Sequence, residues 1–225
     1  MAEFSVREVE GMRQVRIDIR DETVRAAAGA LSNLRGAITM TASLPRPGEF
    51  VRSLVTKEAR VRPRYTGTGS VLLQPSLGGF FVLEVTGTRW ILEPGVYLAS
   101  EGDVTLGVRR ERFWPTLWAG DGLMKFQTTV SGHGRVAINA PGPVEVVPIE
   151  DSELRVQGRL VLGRTEGLRF SSRRATTWLQ SFIARQKRLR VFSGTGLALV
   201  CWTPYWNHHM YRRMTGEDIE GSVFE

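Results

Sequence analysis

The side chains best suited to chemistry crowd one end of the chain: Trp202, Tyr205, Trp206, His208, His209 and Tyr211, followed by Arg212 and Arg213. Aromatics interleaved with cations can stack bases and neutralise phosphates, which makes Trp202, Tyr205 and Trp206 a candidate contact for RNA. The same residues can instead close the last strand against a core and leave their polar tips in water. A metal centre is not expected. Consecutive residues of an extended chain point to opposite faces, so His208 and His209 do not converge, and His133 is the one other histidine.

Two basic groups form the second candidate: Arg109, Arg110 and Arg112, and Arg173 and Arg174 with Arg185, Lys187, Arg188 and Arg190. Gathered on one face, they would suit single-stranded RNA through charge neutralisation, or an anionic membrane surface through headgroup attraction. Scattered, they are a solvated surface that keeps sheet edges unpaired. The formal charge of +7 is almost entirely arginine, because Lys57, Lys125 and Lys187 are the only lysines. Arginine favours bidentate contact with phosphate or carboxylate, although codon bias also explains its use. Nothing points to DNA.

Catalysis has little to work with. Cys201, the only cysteine, excludes an internal disulfide, implies a reducing compartment, and lies in the apolar run Leu197–Trp202, where a buried thiol is expected. Glu93, Glu101 and Asp121 stand near glycines in expected turns, a setting that turn capping explains. No G-x-S-x-G elbow is present. The reading is a non-enzymatic protein without a cofactor.

The elements that must carry these residues are strands. Val15, Ile17 and Ile19 alternate with Arg16, Asp18 and Arg20, and the same period recurs at Val71 and Leu73, Val104 and Leu106, Val136 and Ile138, and Leu160 and Leu162. The denser run Gly79–Val85 predicts a central strand covered on both faces. Helical spacing is confined to Thr176–Lys187, which fits one short helix or an ordered loop; Pro45–Arg60 is an ambiguous connector.

A repeat orders these strands. Gly29, Gly95 and Gly158 each open a short apolar strand, at spacings of 66 and 63 residues. A second landmark follows each: Gly67-Thr68-Gly69 before Pro75, Gly132-His133-Gly134 before Pro141, and Gly194-Thr195-Gly196 before Pro204. The dinucleotide-binding fingerprint needs a helix after its glycines, whereas these lead into strands, so they read as hairpin turns. The expected protein is all-β, with three repeats of about 65 residues near 12–78, 79–145 and 146–206. They form one domain over 1–214, followed by a polar tail at 215–225.

Several segments together resemble a known family: Gly78–Glu84, Trp90–Glu93 leading to Tyr97-Leu98-Ala99, Ala119–Leu123, Ala140–Val144, Phe192–Gly196 and Pro204-Tyr205-Trp206. Their order and spacing are similar to the altered-inheritance-of-mitochondria protein 24 family, over about Gly29 to Trp206. The resemblance implies a short double-stranded β-helix fold, like that of the tryptophan RNA-binding attenuation protein, with pseudo-threefold repeats and assembly into a homo-oligomer. It implies no catalytic residues. Eukaryotic members are associated with mitochondrial inner-membrane organisation. Only the second repeat keeps a Gly-acid-Gly turn, at Gly120-Asp121-Gly122; the third reads Ala184-Arg185-Gln186-Lys187 there.

The first residues lack an apolar leader, and no run of about 20 apolar residues occurs, so a cytoplasmic protein is expected. The leading functional expectation is a scaffold that binds a protein partner or itself. The alternative is an RNA-binding or anionic-surface-binding module.

Overall fold

The computed structural model describes residues 2–42, 62–76, 78–110, 126–157, 159–174 and 188–202, and these are all-β, in two antiparallel sheets. The first sheet contains β1 (Glu3–Val9), β2 (Met12–Ala26), β3 (Leu31–Thr41), β4 (Arg64–Leu73), β5 (Gly79–Thr86), β7 (Tyr97–Glu101) and β10 (His133–Ala140). Its order is β3-β4-β2-β7-β10-β5, with β1 also paired to β2. The second contains β6 (Trp90–Leu92), β8 (Thr105–Arg110), β9 (Phe126–Ser131), β11 (Val144–Gln157), β12 (Val161–Thr165), β13 (Leu168–Arg174) and β14 (Arg188–Cys201). Its order is β11-β14-β12-β6-β9-β8, with β13 also on β14. No helix among the described residues is long and apolar enough to cross a membrane. The segments 45–60 and 176–187, Asp121, and the tail lie outside the described residues.

The chain divides into two compact units. The first comprises Met1–Arg89, Pro94–Gly107 and Thr128–Ala140; the second comprises Trp90–Glu93, Val108–Gln127 and Pro141–Glu225.

The alternation read at Val15, Ile17 and Ile19 is a buried face: all three are 1% exposed or less. Each such side chain contributes roughly 1.5–3 kcal/mol by leaving water. Beyond Asp21 the buried positions change parity, to Val24 and Ala26. The cause is a bulge between Arg20 and Glu22, where the register with β4 shifts and Asp21 takes a φ of 53°. One extra residue in a strand reverses every later side chain. The same device recurs in the second unit. In β11 the register with β14 shifts between Ile149 and Ser152, Asp151 has φ 44°, and the buried residues pass from Ile149 to Val156.

Opposite each bulge stands a glycine pair. Gly67 and Gly69 lie within β4, facing β2 on one side and β3 on the other, and Gly194 and Gly196 lie within β14. Between them Thr68 accepts a hydrogen bond from the Asp21 N–H at 3.0 Å, and Thr195 accepts one from the Asp151 N–H at 3.2 Å. These glycines are therefore strand-interior bulge partners, which corrects the hairpin-turn expectation. In the third pair Gly132 is the bend that joins β9 to β10 and Gly134 lies within β10, and these strands do not pair with each other. The tight two-residue hairpin is elsewhere, at Glu10-Gly11 between β1 and β2, with φ of 51° and 79°.

A second correction concerns Gly79–Val85. This strand, β5, ends the first sheet and among the described strands pairs with β10 alone, and Phe80, Phe81 and Val82 are half-buried. An apolar run records how well the faces are covered, not which backbone edge finds a partner.

The first unit's core gathers Ile17, Ile19, Tyr65, Val71, Leu73 and Ala99; the second unit's gathers Ile149, Val161, Leu168, Phe192, Ala198 and Val200. A Cβ on Gly69 would fall inside contact distance of the Arg35 carbonyl oxygen, at a φ of 150°. Gly69→Ala is expected to cost about 2–3 kcal/mol in urea unfolding. Gly11→Asn, at a left-handed turn with open space around it, should cost less than about 1 kcal/mol.

Candidate functional site

Glu93 directly follows β6, whose residues Trp90, Ile91 and Leu92 pair with Thr165, Arg164 and Gly163 of β12. Its N–H extends that ladder to the Leu162 carbonyl at 2.9 Å. The pairing carries the Glu93 side chain into the second unit, where the residue is 8% exposed. Arg164 of β12 brings its Nη1 to 3.8 Å from Glu93 Oε1, and Arg190 of β14 brings its own to 3.7 Å from Oε2. Gln127 Nε2 donates to Oε1 at 2.7 Å. Arg164 is 2% exposed and Arg190 5%. Arg164 Nε also donates to the Leu168 carbonyl at 3.3 Å, and its guanidinium lies 5.8 Å from the ring centres of Phe170 and Phe192. Burying one such ion costs several kcal/mol, and only opposite charge with well-placed donors offsets it. The acid thus holds a buried charge cluster together. Turn capping does not describe it.

The corresponding junction in the first unit is built differently. There Val24, Arg25 and Ala26 of β2 pair with Glu101, Ser100 and Ala99 of β7, and the Ala27 N–H continues the ladder to the Leu98 carbonyl at 2.7 Å. Ala27 therefore occupies the backbone position that Glu93 occupies in the second unit. Beside it opens a cleft of about 350 Å3. Its walls include Ala27–Ala30, Arg62, Gln74, Tyr97, Thr128 and Asn139. The Arg62 guanidinium stacks over the Tyr97 ring at 4.8 Å and donates from Nη2 to Thr128 Oγ1 at 2.9 Å. No carboxylate of the described residues ion-pairs with it. Burial pushes the Tyr97 phenol above its ordinary range, against the Ser100 hydrogen bond and the charges of Arg62 and Arg25. The ring is neutral at neutral pH.

The arginines singled out from the sequence do not stand alone. Arg109, on β8, lies 3.6 Å from Glu166. Arg173, on β13, lies 2.9 Å from Glu153, which Arg155 also holds at 2.8 Å. The Arg155 hydrogen bond, with the Arg173 charge, keeps the Glu153 carboxyl below its ordinary range despite the opposing effect of burial. Arg110 lies on β8, and Arg174 and Arg188 stand opposite each other on β13 and β14. Arg190 is the buried partner of Glu93. Arg112, Arg185, Lys187, Tyr205 and Trp206 lie outside the described residues, as do His208 and His209. Trp202 is 50% exposed and donates its indole N–H to Glu145 at 2.8 Å. Cys201 is buried.

Sequence reasoning passed over Arg62, Thr128 and Gln127 and took Glu93 for a turn residue. No local signal marks them, because their partners come from strands remote in the chain. The landmark glycines and the residues near the closing prolines were a partial signal: Gly29, Gln74, Gly95 and Asn139 all line the cleft.

Across residues 4–201 the chain matches the family model described as "Mitochondrial biogenesis AIM24". The chain belongs to the AIM24 family. It is 23% identical over 152 residues to an uncharacterized protein of Streptococcus pyogenes serotype M6, a match covering 66% of this chain and 61% of that protein. The chain thus spans less than two thirds of the length of that curated relative. A crystal structure of a Streptococcus pyogenes protein superposes with a TM-score of 0.70 at 18% identity, covering 95% of this chain and 99% of that one. That likeness establishes a shared fold.

Glu93→Gln in this AIM24 chain removes the carboxylate that Arg164 and Arg190 both face. Thermal or urea unfolding should register a loss of about 3–5 kcal/mol. The double variant Glu93→Gln/Arg190→Met should recover part of it.

Proposed function

We propose that this AIM24-family chain is a non-enzymatic, cytoplasmic scaffold whose three similar β units assemble with further copies of itself. The observation that carries the reading is the edge strand β3. Its eleven residues, Leu31–Thr41, pair with β4, and no other strand among the described residues covers their second edge. It contains no proline, and Arg35 is its only charge. Exposed edges are normally blunted by charge, proline or brevity, because a long bare edge recruits another strand. The edge strand β11 is guarded in that way, by Pro148, Glu145, Glu150, Asp151, Glu153 and Arg155. An antiparallel pair of β3 strands about a twofold axis is self-complementary. Met40, on the same strand, is 49% exposed.

Pseudo-threefold architecture of the double-stranded β-helix type is part of the proposal, with units near 12–78, 79–145 and 146–206. Its support is a set of recurring backbone bonds. Gln74 donates to Ala30 at 2.7 Å, Asn139 to Val96 at 2.8 Å and Cys201 to Leu160 at 2.8 Å, each closing a unit near its proline. The ladders at Ala27, within the first compact unit, and at Glu93, within the second, recur in the same way from one sequence repeat to the next. The alternative of an RNA-binding or anionic-surface-binding module is the weaker reading, since Arg109, Arg173 and Arg190 each face a carboxylate.

Light scattering across a wide concentration range tests the scaffold. The expected result is a dimer or larger assembly that dissociates in the double variant Ala37→Lys/Met40→Lys, whose exposed edge positions then carry charge. A monomeric mass for the wild-type chain at all concentrations would overturn it.

A further inference from the structure

Two junctions share one backbone ladder and differ in where their negative charge comes from. In the second unit the residue after β6 is Glu93, and its carboxylate sits between the guanidinium groups of Arg164 and Arg190. In the first unit the residue after β2 is Ala27, bonded through its N–H in the same manner. Among the described residues no carboxylate ion-pairs with Arg62 there. A cleft stands instead, with a half-buried arginine on its wall.

Arg62 is preset for a ligand. Stacking on Tyr97 fixes the plane of the guanidinium, and the Thr128 bond uses one N–H of Nη2, leaving further donors of the fork. Thr128 is 2% exposed, and its hydroxyl, which accepts from Arg62, keeps its own hydrogen to donate. Asn139 gives its Nδ2 to the Gly95 carbonyl at 3.0 Å, which holds the amide in place at the rim. Ala27, Ala28, Ala30 and Leu98 provide an apolar wall of small side chains. The volume falls at the small end of the roughly 300–1,000 Å3 typical of ligand sites.

We propose that this cleft binds a small organic carboxylate, whose oxygens face Arg62 and Thr128 and whose short apolar group lies against Ala27–Ala30. The ligand supplies at the first junction the charge that Glu93 supplies at the second. A planar carboxylate matches the guanidinium fork, and a partly buried cation with no counter-ion among the described residues strengthens that contact. The site is separate from the β3 edge, so it stands whether or not the chain self-associates.

Titration calorimetry on the full chain, with sodium propionate and inorganic phosphate as separate probes against a chloride background, tests the proposal. Propionate is expected to bind the wild-type chain, and Arg62→Gln should weaken it about tenfold or more. Ala27→Glu furnishes an internal carboxylate. It should abolish propionate binding while raising the thermal midpoint, which separates loss of the site from loss of the fold. No propionate binding to the wild type, unchanged binding in Arg62→Gln or in Ala27→Glu, or a preference for phosphate over propionate would each overturn the carboxylate assignment.

Discussion

The bulge at Asp21, set against Gly67 and Gly69, is the constraint on which the first unit depends. A fifteen-residue strand with strict alternation would present one face throughout. With one residue inserted, β2 buries Ile17 and Ile19 over its first half and Val24 and Ala26 over its second. Its end stays on β4, where Val24 and Arg25 face Tyr65 and Arg64, and pairs with β7 along its other edge. Side chains at positions 67 and 69 would collide with the β3 backbone, so only glycine permits the close pass. Asp151 with Gly194 and Gly196 repeats this in the second unit, around a core of different composition. The arrangement is a property of backbone geometry that several core packings can satisfy.

Each junction ladder sets the residue after its strand, Ala27 or Glu93, against a partner carbonyl. The chemistry there depends on one side chain. Glutamate at 93 draws Arg164, Arg190 and Gln127 into a dry cluster, where opposite charges offset desolvation. Alanine at 27 leaves room, and Arg62 rests on an aromatic face with a hydroxyl beside it. One backbone solution thus yields a sealed electrostatic staple at one place and an open cationic cleft at another.

The positive charge of the chain is also distributed differently from what its net value suggests. Arg16 bonds to Asp18, Arg13 to Glu8, Arg173 to Glu153, and Arg109 lies near Glu166. Exposed pairs of this kind contribute about 0–1 kcal/mol each and do little for stability. Their consequence is that local fields largely cancel on these strands.

Much of the framework was legible in the sequence. Alternation identified the buried face at Val15–Ile19, since period two follows from the pleat of any strand, whereas at Val71–Leu73 and Val136–Ile138 the intervening Leu72 and Ala137 are buried too and both faces are covered. Recurring glycines marked places where the backbone needs special room, and the family resemblance included two of them, Gly194 and Gly196. What glycine spacing could not say was whether that room served a turn or a mid-strand crossing, because both demand the absence of a Cβ. Nor could an apolar run tell the edge strand β5 from a central one. Glu93 and Arg164 stand 71 residues apart, and Arg62 and Thr128 stand 66 apart. Neither pairing leaves a local trace. Period and composition settled which residues turn inward, while tertiary structure alone decided which inward polar groups meet, because that depends on strand register set by bulges far along the chain.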